Sequence, residues 1–214
     1  MRLIIGNKNY SSWSLRAWLP LKQCRIAFEE ERIALFEPGY KQRILNYSPA
    51  GKAPVLIDGS TTVWESLAIG EYLAEKFPDV GLWPGAVDMR ARARSVSAEM
   101  HAGFASLRAA MPMNIRSSYP GKGRSPEVDA DIERVVAIWV ECLQRSGGPF
   151  LFGAFTLADA MYAPVAARLI TYAVPLDTQA QAYVDHLWNL PPMLEWRSAA
   201  VAETEYIAED EPYR

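Results

Sequence analysis

Cysteine and histidine are scarce in this 214-residue chain, with two of each. Cys24 and Cys142 make neither a C-x-x-C pair nor a disulfide framework. His101 and His186 lie far apart with no ligand spacing around either, so no metal site is read. No stretch approaches ~18 consecutive apolar residues, the length of a membrane-spanning helix, and the first residues carry no secretory apolar core. Charge of one sign is also missing: 22 basic side chains stand against 25 acidic ones. A nucleic-acid surface needs a clustered basic face. The short run Arg90, Arg92, Arg94 alternates around a helix and reads as solvated surface. These absences leave a cytoplasmic, soluble protein as the expectation.

Half the residues are apolar, enough for one large domain or two modest ones. The first eighty alternate between element types. Arg2 to Gly6 reads as a strand, and Asn7 to Ser12 as a polar turn. Trp13 to Gln23 reads as a helix that Pro20 should kink or shorten. A second strand is expected over Ile26 to Leu35 and a short helix over Tyr40 to Tyr47. Phe77 to Gly85 is rich in proline and glycine, which predicts a boundary: domains 1–80 and 88–214, joined by 81–87. Beyond it strand signals nearly vanish. Helical patterns cover Asp88 to Ala110, Ser125 to Arg145 and Phe155 to Tyr172, and Pro191-Pro192 opens a last helix containing Trp196. Arg116 to Pro126 reads as a mobile loop. Thr156-Leu157-Ala158-Asp159 has capping-box form, which assigns Thr156 and Asp159 a folding role.

The most specific stretch runs from Pro49 to Pro78. Ala53 to Ile57 reads as a buried strand ending at Asp58-Gly59, a dipeptide suited to a type I′ hairpin turn. Thr61 to Trp64 pairs back, and an amphipathic helix follows with Leu67, Ile69, Gly70, Leu73 and Phe77 on its apolar side. Pro54 stands at the strand's start, where a missing ladder donor is tolerated. Glu65-Ser66 places a carboxylate and a hydroxyl at a helix N-terminus, whose free N–H groups attract anions. Here the chain resembles the glutathione transferase family. The resemblance implies an α/β thioredoxin-like N-terminal domain followed by an all-α helical bundle. It also implies a two-fold homodimer, glutathione as co-substrate, and a role in detoxification.

Carried over by position, the resemblance makes Pro54 cis and lets the Ala53 backbone pair with the cysteinyl part of glutathione. Lys52 would reach the glycine carboxylate, and Glu65 and Ser66 the γ-glutamyl end. Lys41 is a further candidate contact. The loop Tyr10-Ser11-Ser12-Trp13-Ser14-Leu15-Arg16 resembles the S-S-C-S-x-R signature of the zeta class and the serine site of theta-class enzymes, with Trp13 in place of the cysteine. The thiolate-activating serine falls on Ser11; Ser12, Ser14 and Tyr10 remain alternatives. Moving a thiol pKa from ~8.5 to roughly 6.5 takes about 2.7 kcal/mol of preferential thiolate stabilisation. Donors at a helix N-terminus can supply that order of energy. Trp13, Phe104, Arg108 and Met111 are candidates for the electrophile pocket by analogy.

The implied activity is conjugation of glutathione thiolate to a small electrophile. A zeta-type cis-trans isomerase and a non-catalytic interaction module are the alternatives. Thiol-disulfide exchange would need a cysteine at the first helix's N-terminus. Cys24 sits about 15 Å too far along at 1.5 Å per residue.

Overall fold

The computed structural model describes all residues, 1–214. Its N-terminal part runs β1 (Arg2–Ile5), α1 (Ser12–Gln23), β2 (Glu29–Arg32), α2 (Tyr40–Leu45), β3 (Val55–Asp58), β4 (Thr61–Trp64), α3 (Ser66–Lys76). The sheet order is β2-β1-β3-β4, with β1 parallel to β2 and antiparallel to β3. Alternation along β1 explains the layering. Leu3 and Ile5 enter the main core, whereas Ile4 packs with Ile33, Ile44 and Val55 beneath α2.

Three local expectations change. Asp58 pairs with Thr61, so the turn residues are Gly59 and Ser60, and of these only Gly59 has positive φ (+59°). That is the pattern of a II′ turn, with glycine first, and not of the I′ turn expected at Asp58-Gly59. The second strand shrinks to Glu29–Arg32, the four residues that pair with β1. Its acidic run suits a charged edge: Glu30 meets Lys8 and the Trp18 indole, and Glu31 meets Tyr47. Helix α1 runs through Pro20 to Gln23 without shortening. Pro20 forfeits one helical bond, a cost of about 3 kcal/mol in an isolated helix. Packing of α1 against α3 and α7 outweighs it.

The C-terminal part is helical: α4 (Val87–Ala102), α5 (Ala105–Ala110), α6 (Pro126–Ser146), α7 (Leu157–Thr171), α8 (Thr178–Trp188) and α9 (Pro191–Ala202). The single helix expected from Asp88 to Ala110 breaks at Gly103-Phe104. Gly103 is extended, and a side chain there would lie 2.7 Å from the Glu99 carbonyl oxygen. Phe104 adopts φ +57° and buries its ring. Helix α8, whose buried stripe is Ala180, Tyr183, Val184 and Leu187, lies in a stretch to which the periodicity reading assigned no element.

Helix α7 is the central post, buried on nearly every side and packed on α1, α4 and α8. Its capping box forms as expected. The Asp159 carboxylate accepts from the Thr156 and Leu151 N–H groups and from the Thr156 and Tyr183 hydroxyls. The segment expected to be mobile is pinned instead: Tyr119 and Gly121 donate backbone bonds to Thr171 and Tyr172, and Tyr119 packs against Tyr172 and Tyr213. Loop composition alone does not reveal such aromatic anchoring.

Candidate functional site

The first strand ends in a turn that delivers Ser11 to the N-cap of α1, where its Oγ accepts from the Ser14 N–H at 3.3 Å. Ser14 is wholly buried, and its Oγ accepts from the Gly6 N–H at 2.9 Å and lies 2.7 Å from Ser11 Oγ. The Ser14 hydroxyl hydrogen has no other acceptor, and a buried unmade donor costs about 1–3 kcal/mol. Ser14 therefore donates to Ser11. Ser11 then accepts twice, which leaves its own hydrogen free to donate outward. Ser12 Oγ accepts from Arg168 Nη2 at 3.3 Å.

Tyr10 is committed elsewhere. Its hydroxyl donates to Glu211 and accepts from Arg116 Nη2 at 2.5 Å. Burial, reinforced by the Glu211 carboxylate, pushes its pKa up to about 12.

Ser11 opens onto a cavity of about 500 Å³ between the two halves of the molecule. Trp13, Lys52 and Ala53 share its wall with Ala105, Arg108, Pro112, Met113, Arg168 and Asp210. A second cavity of about 350 Å³ adjoins it, lined by Trp13, Lys52, Ala53, Pro54, Glu65, His101 and Arg108. Trp13, Lys52, Ala53 and Arg108 face both. The Ala53–Pro54 bond is cis, and the Ala53 backbone makes no hydrogen bond to the rest of the main chain. Glu65 sits at φ +68°, a conformation that costs a non-glycine residue about 1–3 kcal/mol. Its neighbour Ser66 begins α3 with a buried Oγ that has no partner. An orphaned hydroxyl beside free helix N–H groups is suited to an anion.

Two guanidiniums flank Trp13, and the one carboxylate nearby, Glu65, lies 3.9 Å from the His101 ring. Arg16 lies 4.3 Å and Arg108 5.3 Å from its ring centre, and His101 meets the ring edge-on at 5.2 Å. Arg16 is fully buried; its Nε donates to the Met161 carbonyl and neither Nη has a partner. Burial, with the neighbouring Arg168 and Arg108 charges, holds its pKa below the usual guanidinium range. Arg168 donates to the Met111 and Pro164 carbonyls, and Arg108 to those of His101 and Gly103. None of the three arginines is in an ion pair with a protein carboxylate. Such a field favours a thiolate and an anionic ligand.

Three candidate positions, Phe104, Met111 and Lys41, fall outside this geometry, and Cys24, excluded as a reactive thiol from its position in the chain, lies far from it as expected. Phe104 and Met111 are core residues that line neither cavity. The break after α4 turns Phe104 inward. Lys41 is exposed on α2 and lines neither cavity. Cys24 caps the far end of α1, and burial pushes its thiol up.

Residues 10–76 match the family model for the glutathione S-transferase N-terminal domain, and 123–202 match that for the C-terminal domain. The chain belongs to the glutathione S-transferase family. A probable maleylacetoacetate isomerase from Caenorhabditis elegans is 29% identical over 155 residues, 72% of each chain. A Burkholderia glutathione transferase homologue solved with bound glutathione superposes with a TM-score of 0.72 at 22% identity, covering 93% of this chain and 97% of its own. A bacterial zeta-class maleyl pyruvate isomerase gives 0.72 at 20% identity, covering 96% of this chain and 100% of its own. At such identities the structural likenesses establish the glutathione transferase fold alone: a small mixed sheet with its helices, then a helical domain.

Within that fold, the residues that periodicity could not find are those the second domain brings to the wall. His101, Arg168 and Asp210 lie 90 to 199 positions from Ser11 in the chain. No local spacing signals such neighbours. The S-x-R spacing did mark Arg16, but not that its guanidinium would be buried without a carboxylate.

Proposed function

We propose that this protein binds glutathione across the two cavities, ionises its thiol with Ser11, and adds the thiolate to a small electrophile in the larger one. The observation that carries this reading is the Ser11 hydroxyl on the wall of the larger cavity, 2.7 Å from the buried Ser14 Oγ and beside the unpaired Ala53 backbone. In this arrangement Ala53 pairs with the cysteinyl unit and Lys52 faces the glycine carboxylate. Ser66 and Glu65 take the γ-glutamyl end. The unpartnered Ser66 hydroxyl makes a sharp test. Ser66→Ala is expected to weaken glutathione binding by about 1–3 kcal/mol, the usual cost of losing a bond to a charged group. Unchanged affinity by calorimetry would overturn the placement.

A second reading is favoured by Arg108 and Arg168, two guanidiniums on one cavity wall without carboxylate partners. They suit a diacid, and both a curated relative and a solved neighbour carry isomerase names. Incubation with glutathione and a cis-alkene diacid separates the two: isomerisation leaves glutathione unconsumed, whereas conjugation depletes it.

The proposed setting is cytoplasmic detoxification by a two-fold homodimer. Ala91, Ser95, Ala98 and Ala102 are exposed along α4, and Ala68 on α3, so a second copy could approach closely. Light scattering at micromolar concentration is expected to give twice the 23.9 kDa chain mass. A monomer mass would refute the dimer.

A further inference from the structure

The turn that delivers Ser11 to α1 is held by the far end of the chain. The Asn7 carbonyl accepts from the Tyr10 and Ser11 N–H groups at 3.3 and 2.8 Å, which closes the turn over Lys8 and Asn9. Closed this way, the turn offers no acceptor to its two central N–H groups, and both residues are buried. Buried N–H groups need partners. Glu203, just beyond α9, supplies both: its two carboxylate oxygens accept from Lys8 and Asn9 at 2.7 and 3.0 Å. The Glu203 side chain is only 7% exposed, and its ion-pair partner is Arg32, at 3.4 Å. The helical part grips the same two residues again. The Trp196 indole donates to the Lys8 carbonyl, and the Ile115 and Arg116 N–H groups donate to the Asn9 carbonyl and side-chain oxygens.

We propose that Glu203 is a positioning residue that fixes this turn so that the Ser11 hydroxyl meets the thiol of bound glutathione; this rests on the glutathione transferase reading above. Glu203 lines neither cavity, so it acts through the turn and not on the ligand. Only two peptide bonds separate Asn9 from Ser11. Bonds to an ionised acceptor are about twice as strong as neutral ones. Two of them, made to consecutive N–H groups, fix the tilt of the turn as well as its distance. Ser11 is the N-cap of α1, so a tilt of the turn moves its Oγ relative to the Ala53 backbone on the same cavity wall.

Charge alone gives the opposite outcome. A carboxylate opposes the ionisation of a thiol near it, so deleting the Glu203 charge without moving Ser11 would lower the thiol pKa. Displacing the Ser11 hydroxyl raises it. The sign of the shift therefore separates positioning from simple electrostatics.

The test titrates the ultraviolet thiolate absorbance of glutathione bound to the full chain, in the wild type and in variants. Glu203→Gln offers one accepting oxygen and turns an NH₂ group toward the second N–H. It is expected to raise the thiol pKa by about one unit, tenfold in the ionisation constant, with glutathione affinity by calorimetry little changed. Glu203→Asp keeps both oxygens on a shorter stem and should give a smaller rise; should Glu203→Gln unfold, it carries the same test. Glu205→Gln is the control, since that side chain meets Arg32 alone, and the thiol pKa should stay put. Added to Ser11→Ala, Glu203→Gln should shift the pKa no further, because residues that act through one another are not additive. An unchanged or lowered pKa, a loss of thermal stability alone, or a shift that adds to that of Ser11→Ala would overturn the proposal. The transferase reading would still stand if the wild type binds glutathione with a depressed thiol pKa. Absence of glutathione binding would remove both.

Discussion

Ser11→Ala is expected to raise the pKa of bound glutathione's thiol by about one to two units toward its free value of ~8.5, with little loss of affinity. The removed hydrogen bond favours thiolate over thiol, so its loss appears in ionisation before it appears in binding. At neutral pH the rate should drop roughly ten- to a hundredfold, because each pKa unit is about 1.4 kcal/mol of preferential stabilisation. The deficit should shrink as pH rises, since solvent then ionises the thiol unaided. Ultraviolet absorbance of the thiolate across a pH titration reads the shift directly. Tyr10→Phe is the control: its hydroxyl is bonded to Glu211 and Arg116, so the thiol pKa should stay put. If Ser11→Ala keeps the wild-type profile while Ser12→Ala loses it, the activating hydroxyl is Ser12. If neither moves it, the α1 N-terminus and the unpaired arginines supply the stabilisation.

The largest effect on stability is expected from Asp159→Ala, which no catalytic role touches. The carboxylate is wholly buried, and four donors converge on it from Leu151, Thr156 and Tyr183. Burial pushes its pKa up to about 6 although every donor pulls the other way, so it is mainly ionised at pH 7. Removing it strands two N–H groups and two hydroxyls and uncaps the helix on which α1, α4 and α8 pack. Loss of a buried charged partner typically costs about 3–5 kcal/mol, and urea unfolding at pH 7 measures it. A change below about 1 kcal/mol, the size of a surface cap, would show that α7 does not depend on this box. The folded-state pKa also predicts a sign. Because it lies above the unfolded value, this group favours folding most at acid pH, and its contribution declines as pH rises from about 4 to 6.

Short-range patterns carried much of this protein. Two-residue alternation in Leu3-Ile4-Ile5 separates the faces of the sheet, and the T-x-x-D spacing at Thr156 caps α7. Ser11 as an N-cap follows from serine's affinity for free helix N–H groups. Each of these depends on neighbours within a few residues, so the chain itself supplies both partners.

What failed to show in sequence involved partners remote along the chain. Pro20 was expected to kink or shorten α1, yet the helix runs on to Gln23, packed against α3 and α7. The Asp88 to Ala110 pattern looked continuous because helical periodicity does not register the conformation of Gly103 and Phe104. Met111 was placed in the pocket by analogy, and packing took it into the core while Met113 turned to the cavity. The seven residues from Tyr10 to Arg16 reveal which hydroxyls are available, but not which one keeps a free hydrogen. That is decided by Gly6 and Ser14 on one side, and by the return of Glu211 to Tyr10 on the other. The sequence by itself determined the N-terminal element types, most of the later helices, and the two motifs at Ser11 and at Glu65-Ser66. The tertiary structure alone decided the far wall of the larger cavity, because Arg108, Arg168 and Asp210 meet only when the helical domain and the C-terminal segment pack against the first.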